Sequence, residues 1–232
     1  MSNVVIRNLK DTFIAMLTHD LKGPINSGIF ALELLLSEGK CENLNDYQKE
    51  LLNDILKSTK YIKNLTDNAL CKFRAENGSY EIKKEYTSIK NIVKDCIKGI
   101  NYLSKEKNQK INFICSKEDI CANVDLIEIK RAIRNLISNA CKYSYKNSEI
   151  NVILKKYKDK VYFEVQDFGC GINLDKLSSV FDKYVRLANE QKSVGTGLGL
   201  YITKLIIDAH GGNIDIQSEK GCRTRIFFEI PA

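Results

Sequence analysis

The sequence predicts a helical hairpin followed by an α+β sandwich, and three observations support that prediction. Apolar residues recur at steps of three and four through the first 75 residues. A polar break follows at Glu76–Ser79, and helical and alternating patterns then mix to the end of the chain. Such a mixture favours one layer of sheet packed against one layer of helices.

Two long helices are predicted before the break, separated by the polar stretch Glu38–Asn45. Ahead of that stretch, apolar residues fall at helical intervals from Ile6 to Leu36. At its end, Asn45 is placed as an N-cap, and Gln48 stands where a capping box has its second member.

The second helix carries a heptad-like seam that consists of Tyr47, Leu51, Ile55, Ser58, Ile62, Leu65, Ala69 and Phe73. Two amphipathic helices do not bury both apolar stripes by themselves. We therefore expect a homodimer in which two hairpins form a four-helix bundle. The alternative is that the hairpin packs on the second domain of its own chain.

We place the first domain at residues 1–77 and the second at residues 78–232. In the second domain, the patterns predict helices over Ile89–Leu103, Asp125–Tyr143 and Thr196–Ala209, and strands over Lys110–Cys115, Ile150–Lys156, Val161–Asp167, Asn213–Ser218 and Arg223–Ile230. The turn Lys158–Lys160 joins two of these strands as a hairpin.

The composition excludes several classes of protein. Of the 232 residues, 44% are apolar and 28% charged, which are globular values rather than those of disordered or fibrous chains. Neither a signal region nor an apolar run of about 20 residues is present, so we expect a cytoplasmic chain without membrane insertion. The eight cysteines form no C-x-x-C pair, which favours reduced thiols. The net charge of +7 comes without a basic tract and does not indicate nucleic-acid binding.

Four clusters of residues could carry chemistry. In the first, His19 and Asp20 are adjacent within the first predicted helix. A neutral imidazole is a nucleophile, and a neighbouring carboxylate can accept its proton. A solvated surface histidine beside an aspartate is the alternative.

The second cluster lies on a predicted helix. Asn135 and Asn139 are four residues apart and share one face, and an amide oxygen is a hard ligand that suits Mg²⁺. Lys142 could meet a phosphate and Tyr143 could stack on a base. The alternative is an amphipathic helix with its polar side outward.

The remaining two clusters are rich in glycine. Asp167 ends a predicted strand, and Gly169 and Gly171 after it permit close backbone approach; a plain turn is the alternative. The segment Gly195–Leu200 (GTGLGL) precedes a helix, whose N-terminal N–H groups and dipole attract phosphate. It is not a Walker loop, since no G-K-[ST] follows.

Together and in this order, the segments resemble the sensor histidine kinases of two-component systems over essentially the whole chain. The segment Phe13–Ile29 is similar to the family's H box, Asn135–Ser144 to its N box, Asp167–Ile172 to its G1 box, Phe181–Arg186 to its F box and Gly195–Leu200 to its G2 box. The resemblance implies a dimerisation and histidine-phosphotransfer domain, followed by a catalytic α/β-sandwich domain of the histidine kinase and Hsp90-like ATPase type.

The resemblance also implies an activity: ATP phosphorylates His19, with Asp20 as general base, and the phosphoryl group passes to an aspartate of a response-regulator receiver domain. ATP and Mg²⁺ would be the cofactors. The partners would be a second copy of the chain, the response regulator, and a separate sensor protein or a missing sensor region.

The implied ATP-binding residues lie in the N, G1, F and G2 boxes. They are Asn135, Asn139, Lys142, Tyr143, Asp167, Gly169, Gly171, Arg186, Gly195, Thr196, Gly197, Leu198 and Gly199. Among them, Asn139 would hold Mg²⁺, Lys142 and Arg186 would contact phosphates, Tyr143 would lie against adenine, and Asp167 would accept from its amino group. His210 would be structural, fixing the turn that follows it.

Two positions refine this interpretation. Related ATPases carry a glutamate at the position of Asn135 to activate water, and an asparagine cannot act as that base. Transfer to His19 is therefore favoured over hydrolysis. Gly23 stands four residues after His19, where many members carry the Thr or Asn that positions water to dephosphorylate the regulator. We therefore predict weak or absent phosphatase activity.

Two other functions compete with the kinase. One is an ATPase of the chaperone or DNA-repair type, which would release phosphate steadily without a phosphoprotein. The other is a dimeric scaffold with a degenerate nucleotide pocket, which a nucleotide-binding measurement would distinguish.

Overall fold

The computed structural model of the chain describes residues 20–37, 44–76, 80–185 and 197–232. The chain divides between Tyr80 and Glu81 into two compact units. Within the described ranges, every helix is too short or too polar to cross a membrane.

The first unit is an antiparallel pair of helices, α1 (residues 20–35) and α2 (Asp46–Glu76). Two ion pairs join them at 2.7 Å: Lys22 Nζ to Asp67 Oδ1, and Lys60 Nζ to Glu33 Oε1. Residues early in α1 thus lie opposite residues late in α2, as a hairpin requires.

Helix α2 begins with the predicted capping box. The Asn45 N–H donates to Gln48 Oε1 at 2.9 Å, and the Gln48 N–H donates to Asn45 Oδ1 at 2.8 Å. Both donors would otherwise lack an intrahelical partner, so the two side chains fix where the helix starts.

The hairpin leaves much of its apolar surface uncovered. The large apolar side chains that stay more than 40% exposed are Leu21, Phe30, Leu34, Leu35, Tyr47, Leu51, Ile55 and Ile62. Four of them belong to the predicted seam of α2. Large apolar side chains exposed in this number on one hairpin suit a protein–protein interface.

The second unit holds four helices and seven strands in its described residues. In chain order they are β1 (Glu85–Ser88), α3 (Ile89–Glu106), β2 (Lys110–Cys115), β3 (Cys121–Val124), α4 (Leu126–Tyr143), β4 (Glu149–Tyr157), β5 (Lys160–Asp167), α5 (Leu174–Leu177), α6 (Gly199–Ala209), β6 (Asn213–Glu219) and β7 (Arg223–Pro231).

Five strands form the main sheet in the order β2-β4-β5-β7-β6. The β2–β4 pair is parallel and the other three pairs are antiparallel. Helices α3, α4 and α6 form one layer, with α4 between the other two. The core between helices and sheet includes Ile133, Leu136, Phe163, Ile206 and Phe228, none more than 1% exposed. The predicted α+β sandwich is therefore confirmed.

Several boundaries differ from the predictions. Helix α6 begins at Gly199 rather than Thr196, since residues 197 and 198 are not helical. The β4–β5 turn is Lys158–Asp159, because Lys160 already pairs with Tyr157.

Three short elements were not predicted. Strands β1 and β3 form a separate two-stranded sheet within the described residues, and α5 is a single turn. Each has four residues, too few for a period to emerge from the sequence.

Candidate functional site

A pocket opens in the second unit beside the carboxyl half of α4 and the ends of β5 and β7. Its lining consists of Leu136, Asn139, Ala140, Tyr143, Val165, Asp167, Cys170, Gly171, Ile172, Leu200, Thr224 and Ile226. Most of these are apolar, and a few polar groups interrupt them. This composition is typical of a small-molecule site, in which apolar walls bury the ligand and a few polar groups orient it.

Asp167 is the buried acid of this pocket. It ends strand β5 and is 6% exposed. Burial raises its pKa from the ordinary 3.8 to about 7, although a hydrogen bond from the Gly169 N–H acts in the opposite direction. Its Oδ1 has no hydrogen-bond partner among the described residues. Since an unpaired buried acceptor is costly, the pocket suits a ligand that brings a donor to this oxygen.

The loop after β5 is held on two sides through its backbone. The Cys170 N–H donates to Tyr143 O at 3.3 Å, and Cys170 O accepts from the Gly221 N–H at 2.8 Å. Gly171 has a φ of +60°, and a Cβ there would lie 2.1 Å from Glu219 O. This position therefore requires glycine, both for its conformation and for the close approach of the two chain segments.

The last turns of α4 bring two of the predicted N-box residues, Asn139 and Tyr143, to the pocket. Asn139 and Tyr143 line it, half-buried, one turn apart on the helix. The Lys142 Nζ lies 5.1 Å from the centroid of the Tyr143 ring, a cation–π distance. An amide, an ammonium and an aromatic ring are thus grouped at one end of one helix.

Asn135 has a different environment from Asn139. Its Nδ2 donates to Thr203 Oγ1 at 2.8 Å, and Thr203 Oγ1 donates to Gly199 O at 2.9 Å. A Cβ at Gly199 would lie 2.6 Å from Asn135 Oδ1. The side chain of Asn135 therefore fixes the start of α6 against α4, and it does not line the pocket.

The predicted G2 box is described only in part. Gly197 O accepts from the Tyr184 N–H at 3.0 Å, and Leu198 is buried immediately before α6. Gly195, Thr196 and Arg186 lie outside the described residues.

Of the predicted catalytic pair, only Asp20 is described. It is exposed at the start of the described part of α1, in the first unit. His19 lies outside the described residues.

His210 is a buried structural residue, as predicted, but with a wider role. It is 2% exposed, and its Nδ1 lies 2.7 Å from Ile206 O. Because a carbonyl only accepts, Nδ1 carries the proton, and Nε2 accepts the Asp125 N–H at 3.0 Å. Burial lowers the pKa of His210 and keeps the ring neutral. The ring thus ties the end of α6 to the N-cap of α4.

Sequence reasoning missed Thr224. It lies opposite Asp167 in the β5–β7 ladder and is 7% exposed. Its Oγ1 lies 2.9 Å from Ser218 Oγ, which also accepts the Ile172 N–H at 2.9 Å. A threonine in a strand carries no functional signal by itself, since only the pairing of β7 with β5 brings it to the pocket. The sequence also did not single out the apolar residues that line the pocket. They are Leu136, Ala140, Val165, Ile172, Leu200 and Ile226.

The residues at the site can be compared with what the two implied cofactors, ATP and Mg²⁺, require. The unpaired Asp167 oxygen and the apolar walls fit the amino group and faces of an adenine. No group of three His, Cys, Asp or Glu in the described part of the chain could hold a metal ion. A cation beside the Asn139 amide would take most of its ligands from phosphate and water, which suits Mg²⁺.

The fold and the pocket define a nucleotide-binding domain joined to a helical hairpin. The family model described as "His Kinase A (phospho-acceptor) domain" matches residues 9–78, and the one described as "Histidine kinase-, DNA gyrase B-, and HSP90-like ATPase" matches residues 124–232. The chain therefore belongs to the sensor histidine kinases of two-component systems.

Individual relatives agree with this assignment. The chain is 29% identical to the sensor histidine kinase YvrG of Bacillus subtilis over 95% of its own length and 38% of that protein. It is 32% identical to the sensor protein KdpD of Clostridium acetobutylicum over 96% of its own length and 25% of that protein. The chain thus spans well under half of the length of these two relatives.

Solved structures support the fold. Full-length ShkA in complex with AMPPNP superposes with a TM-score of 0.74 at 22% identity, over 95% of this chain and 45% of that one. The catalytic domain of the histidine kinase ThkA gives a TM-score of 0.58 at 24% identity, over 65% of this chain and 96% of that domain.

Proposed function

We propose that this chain is the kinase core of a two-component system, in which ATP phosphorylates His19 and the phosphoryl group then passes to an aspartate of a response-regulator receiver domain. The observation that carries the proposal is the Asp167 carboxylate, buried at the end of β5 in a largely apolar pocket, with one oxygen that no group in the described ranges pairs. An exocyclic amine is the donor that this oxygen lacks.

In the proposed complex, one set of residues binds the adenine base and another set neutralises the phosphates. Asp167 accepts from the adenine amino group, and the ring of Tyr143 packs against the base. Thr224, next to Asp167 in the sheet, offers a hydroxyl at the same edge of the base. Lys142 neutralises phosphate charge. We propose the same role for Arg186, which is not among the described residues. We also assign to the nucleotide site the glycine-rich segments that include Gly169, Gly171 and Gly195–Gly199.

Bound Mg²⁺ would neutralise phosphate charge, and Asn139 would hold it through its amide oxygen. Asn135 supports the site from outside the pocket, because its amide donates to Thr203 on α6. An amide also cannot remove a proton from water. Both properties support transfer to a histidine over hydrolysis, and they disfavour the competing ATPase.

We further propose that residues 1–77 form the dimerisation and phosphotransfer domain and residues 78–232 the catalytic domain. The apolar residues that the hairpin leaves exposed support a homodimer with a four-helix bundle. Asp20, the proposed general base, lies on that hairpin, and His19 directly precedes it in the sequence. Because ATP is a cytoplasmic phosphoryl donor, we assign the reaction to the cytoplasm.

Phosphatase activity toward the phosphorylated regulator is proposed to be weak. Gly23 is exposed on α1, and a Cβ there would meet nothing within 4 Å. The position has space for a threonine or asparagine side chain, but glycine supplies no group to orient a water molecule.

The chain has two histidines, which allows a matched test. We expect His19→Gln to abolish the acid-labile label that γ-labelled ATP gives, while nucleotide binding stays at the wild-type level. His210→Gln, the matched control, should keep the label per folded molecule. Acid-labile label at the wild-type level in His19→Gln would refute the assignment, and steady phosphate release without phosphoprotein would favour the ATPase.

A further inference from the structure

A lysine outside the pocket holds the carboxyl end of α4. Lys107 lies in the turn between α3 and β2, and its Nζ donates to Cys141 O at 3.1 Å, to Lys142 O, and to Ser144 O at 3.2 Å. These carbonyls belong to the last turn of α4 and the residue after it. The last four carbonyls of a helix have no intrahelical donor, so the ammonium supplies donors to two of them, Cys141 O and Lys142 O, and to Ser144 O just after the helix.

The charge of Lys107 is directed at the helix rather than at a carboxylate. None of the ion pairs in the described part of the chain includes this residue. A cation at a helix C-terminus also interacts favourably with the helix dipole.

Gln109 adds a neutral anchor. Its Nε2 donates to Cys141 O at 3.1 Å, Ser144 O at 3.2 Å and Tyr145 O at 3.1 Å, and the residue is 8% exposed.

The turn that presents Lys107 is itself held in place. The Asn147 N–H donates to Lys107 O at 3.0 Å, and Asn108 Nδ2 donates to Asn147 Oδ1 at 2.8 Å. Both asparagines have positive φ, +52° and +59°, a conformation that asparagine tolerates better than most residues. The ammonium is therefore presented from a defined position.

The other side of the same helix end faces the pocket. Asn139 and Tyr143 line the pocket there, and Tyr143 O accepts from the Cys170 N–H. The end of α4 is thus fixed between Lys107 on one side and the loop after β5 on the other. A shift of this end would move the amide and the aromatic ring together.

We propose that Lys107 is a positioning residue for nucleotide binding, because its ammonium fixes the last turn of α4 in the arrangement in which Asn139 and Tyr143 receive the nucleotide. The inference rests on the proposed function and adds to it a residue that touches no part of the substrate.

The test replaces Lys107 by Met, which keeps the length of the side chain and removes its donors and charge. Lys105→Met is the matched control, since Lys105 is an exposed lysine in the last turn of α3. In the full chain, we expect Lys107→Met to raise the Kd for Mg·ATP and the KM for autophosphorylation about tenfold, with kcat within about threefold of wild type. Lys105→Met should change neither by more than about twofold, and Lys107→Arg should restore most of the affinity.

The split between KM and kcat separates positioning from simple destabilisation. A substitution that only destabilises the fold would lower the amount of active protein, and so the apparent kcat, with KM unchanged. That result would overturn the inference. If Lys107→Met does not fold, Lys107→Gln takes its place, and wild-type KM in that variant would overturn the inference equally. Wild-type protein that binds no nucleotide would instead refute the proposed function, and this inference with it.

Discussion

Asp167→Asn should make the fold more stable at alkaline pH and at the same time impair nucleotide binding. The carboxylate is buried, one of its oxygens has no hydrogen-bond partner in the part of the chain that the structure describes, and burial raises its pKa to about 7. Asparagine has nearly the same shape but no charge. The variant therefore removes the cost of a buried anion, and with it the acceptor that we assign to the adenine amino group.

The size of the stability change follows from the difference between the pKa of this carboxyl group in the folded chain and in the unfolded chain. An unfolded aspartate releases its proton near pH 3.8, whereas folded Asp167 retains it to about pH 7. Between these values the folded state binds more protons, so the free energy of unfolding falls as the pH rises. Each unit of difference in pKa between the folded and unfolded states corresponds to about 1.36 kcal/mol. The ionised Asp167 therefore lowers the free energy of unfolding of the wild type by at most about 4 kcal/mol above pH 7. From pH 5 to pH 8, the stability gap between Asp167→Asn and wild type should widen by about 2–3 kcal/mol.

Urea denaturation of the full chain at pH 5 and pH 8, followed by far-UV circular dichroism, measures this gap. Asp215→Asn is the control, because Asp215 is an exposed carboxylate in the same sheet and its variant should give no comparable widening. Nucleotide affinity should fall about ten- to a hundredfold in Asp167→Asn through the loss of a charge-assisted hydrogen bond. An equal gap at both pH values, or wild-type affinity in the variant, would refute the reasoning.

Three further predictions concern other parts of the chain. Gly23→Thr should release phosphate from a phosphorylated receiver domain faster than wild type or Gly23→Ala, since the added hydroxyl can orient water; equal release by all three proteins would contradict the explanation. Burial lowers the pKa of His210, so the free energy of unfolding should decline as the pH falls below the ordinary 6.5 towards the folded value. His210→Gln should reduce that slope in melts between pH 5 and 8, and an unchanged slope would exclude His210 as its source. Gly199→Ala places a Cβ 2.6 Å from Asn135 Oδ1, and we expect a lower Tm and weaker nucleotide binding, whereas Gly28→Ala, with its nearest neighbour 4.0 Å away, should melt no lower than wild type.

The local features of this protein were predictable because they depend on residues close together in sequence. The capping box joins residues three apart, and the strands of the β4–β5 hairpin are separated by a two-residue turn. Helical and strand periods predicted α2, α3, α4 and five strands to within a few residues. Asn139, Tyr143 and Asp167 were assigned to an ATP site through the family resemblance, and the structure brings all three to one pocket.

What the sequence could not determine depends on contacts between distant parts of the chain. The short strands β1 and β3 exist only as each other's partner, and Thr224 reaches the pocket only through the β5–β7 ladder. Asn135 has the sequence position of a nucleotide-binding residue, but Thr203, 68 residues away, engages its amide.

The sequence by itself determined the periods, the caps and the identity of the chemical groups, because these follow from neighbours within a few residues. Only the tertiary structure decided that one oxygen of Asp167 is buried without a partner among the residues described, that Lys107 reaches carbonyls up to 37 residues away, and that His210 binds the N-cap of α4 85 residues earlier. Burial and long-range hydrogen bonds depend on the path of the whole chain, and they determine which of the available groups can meet a ligand.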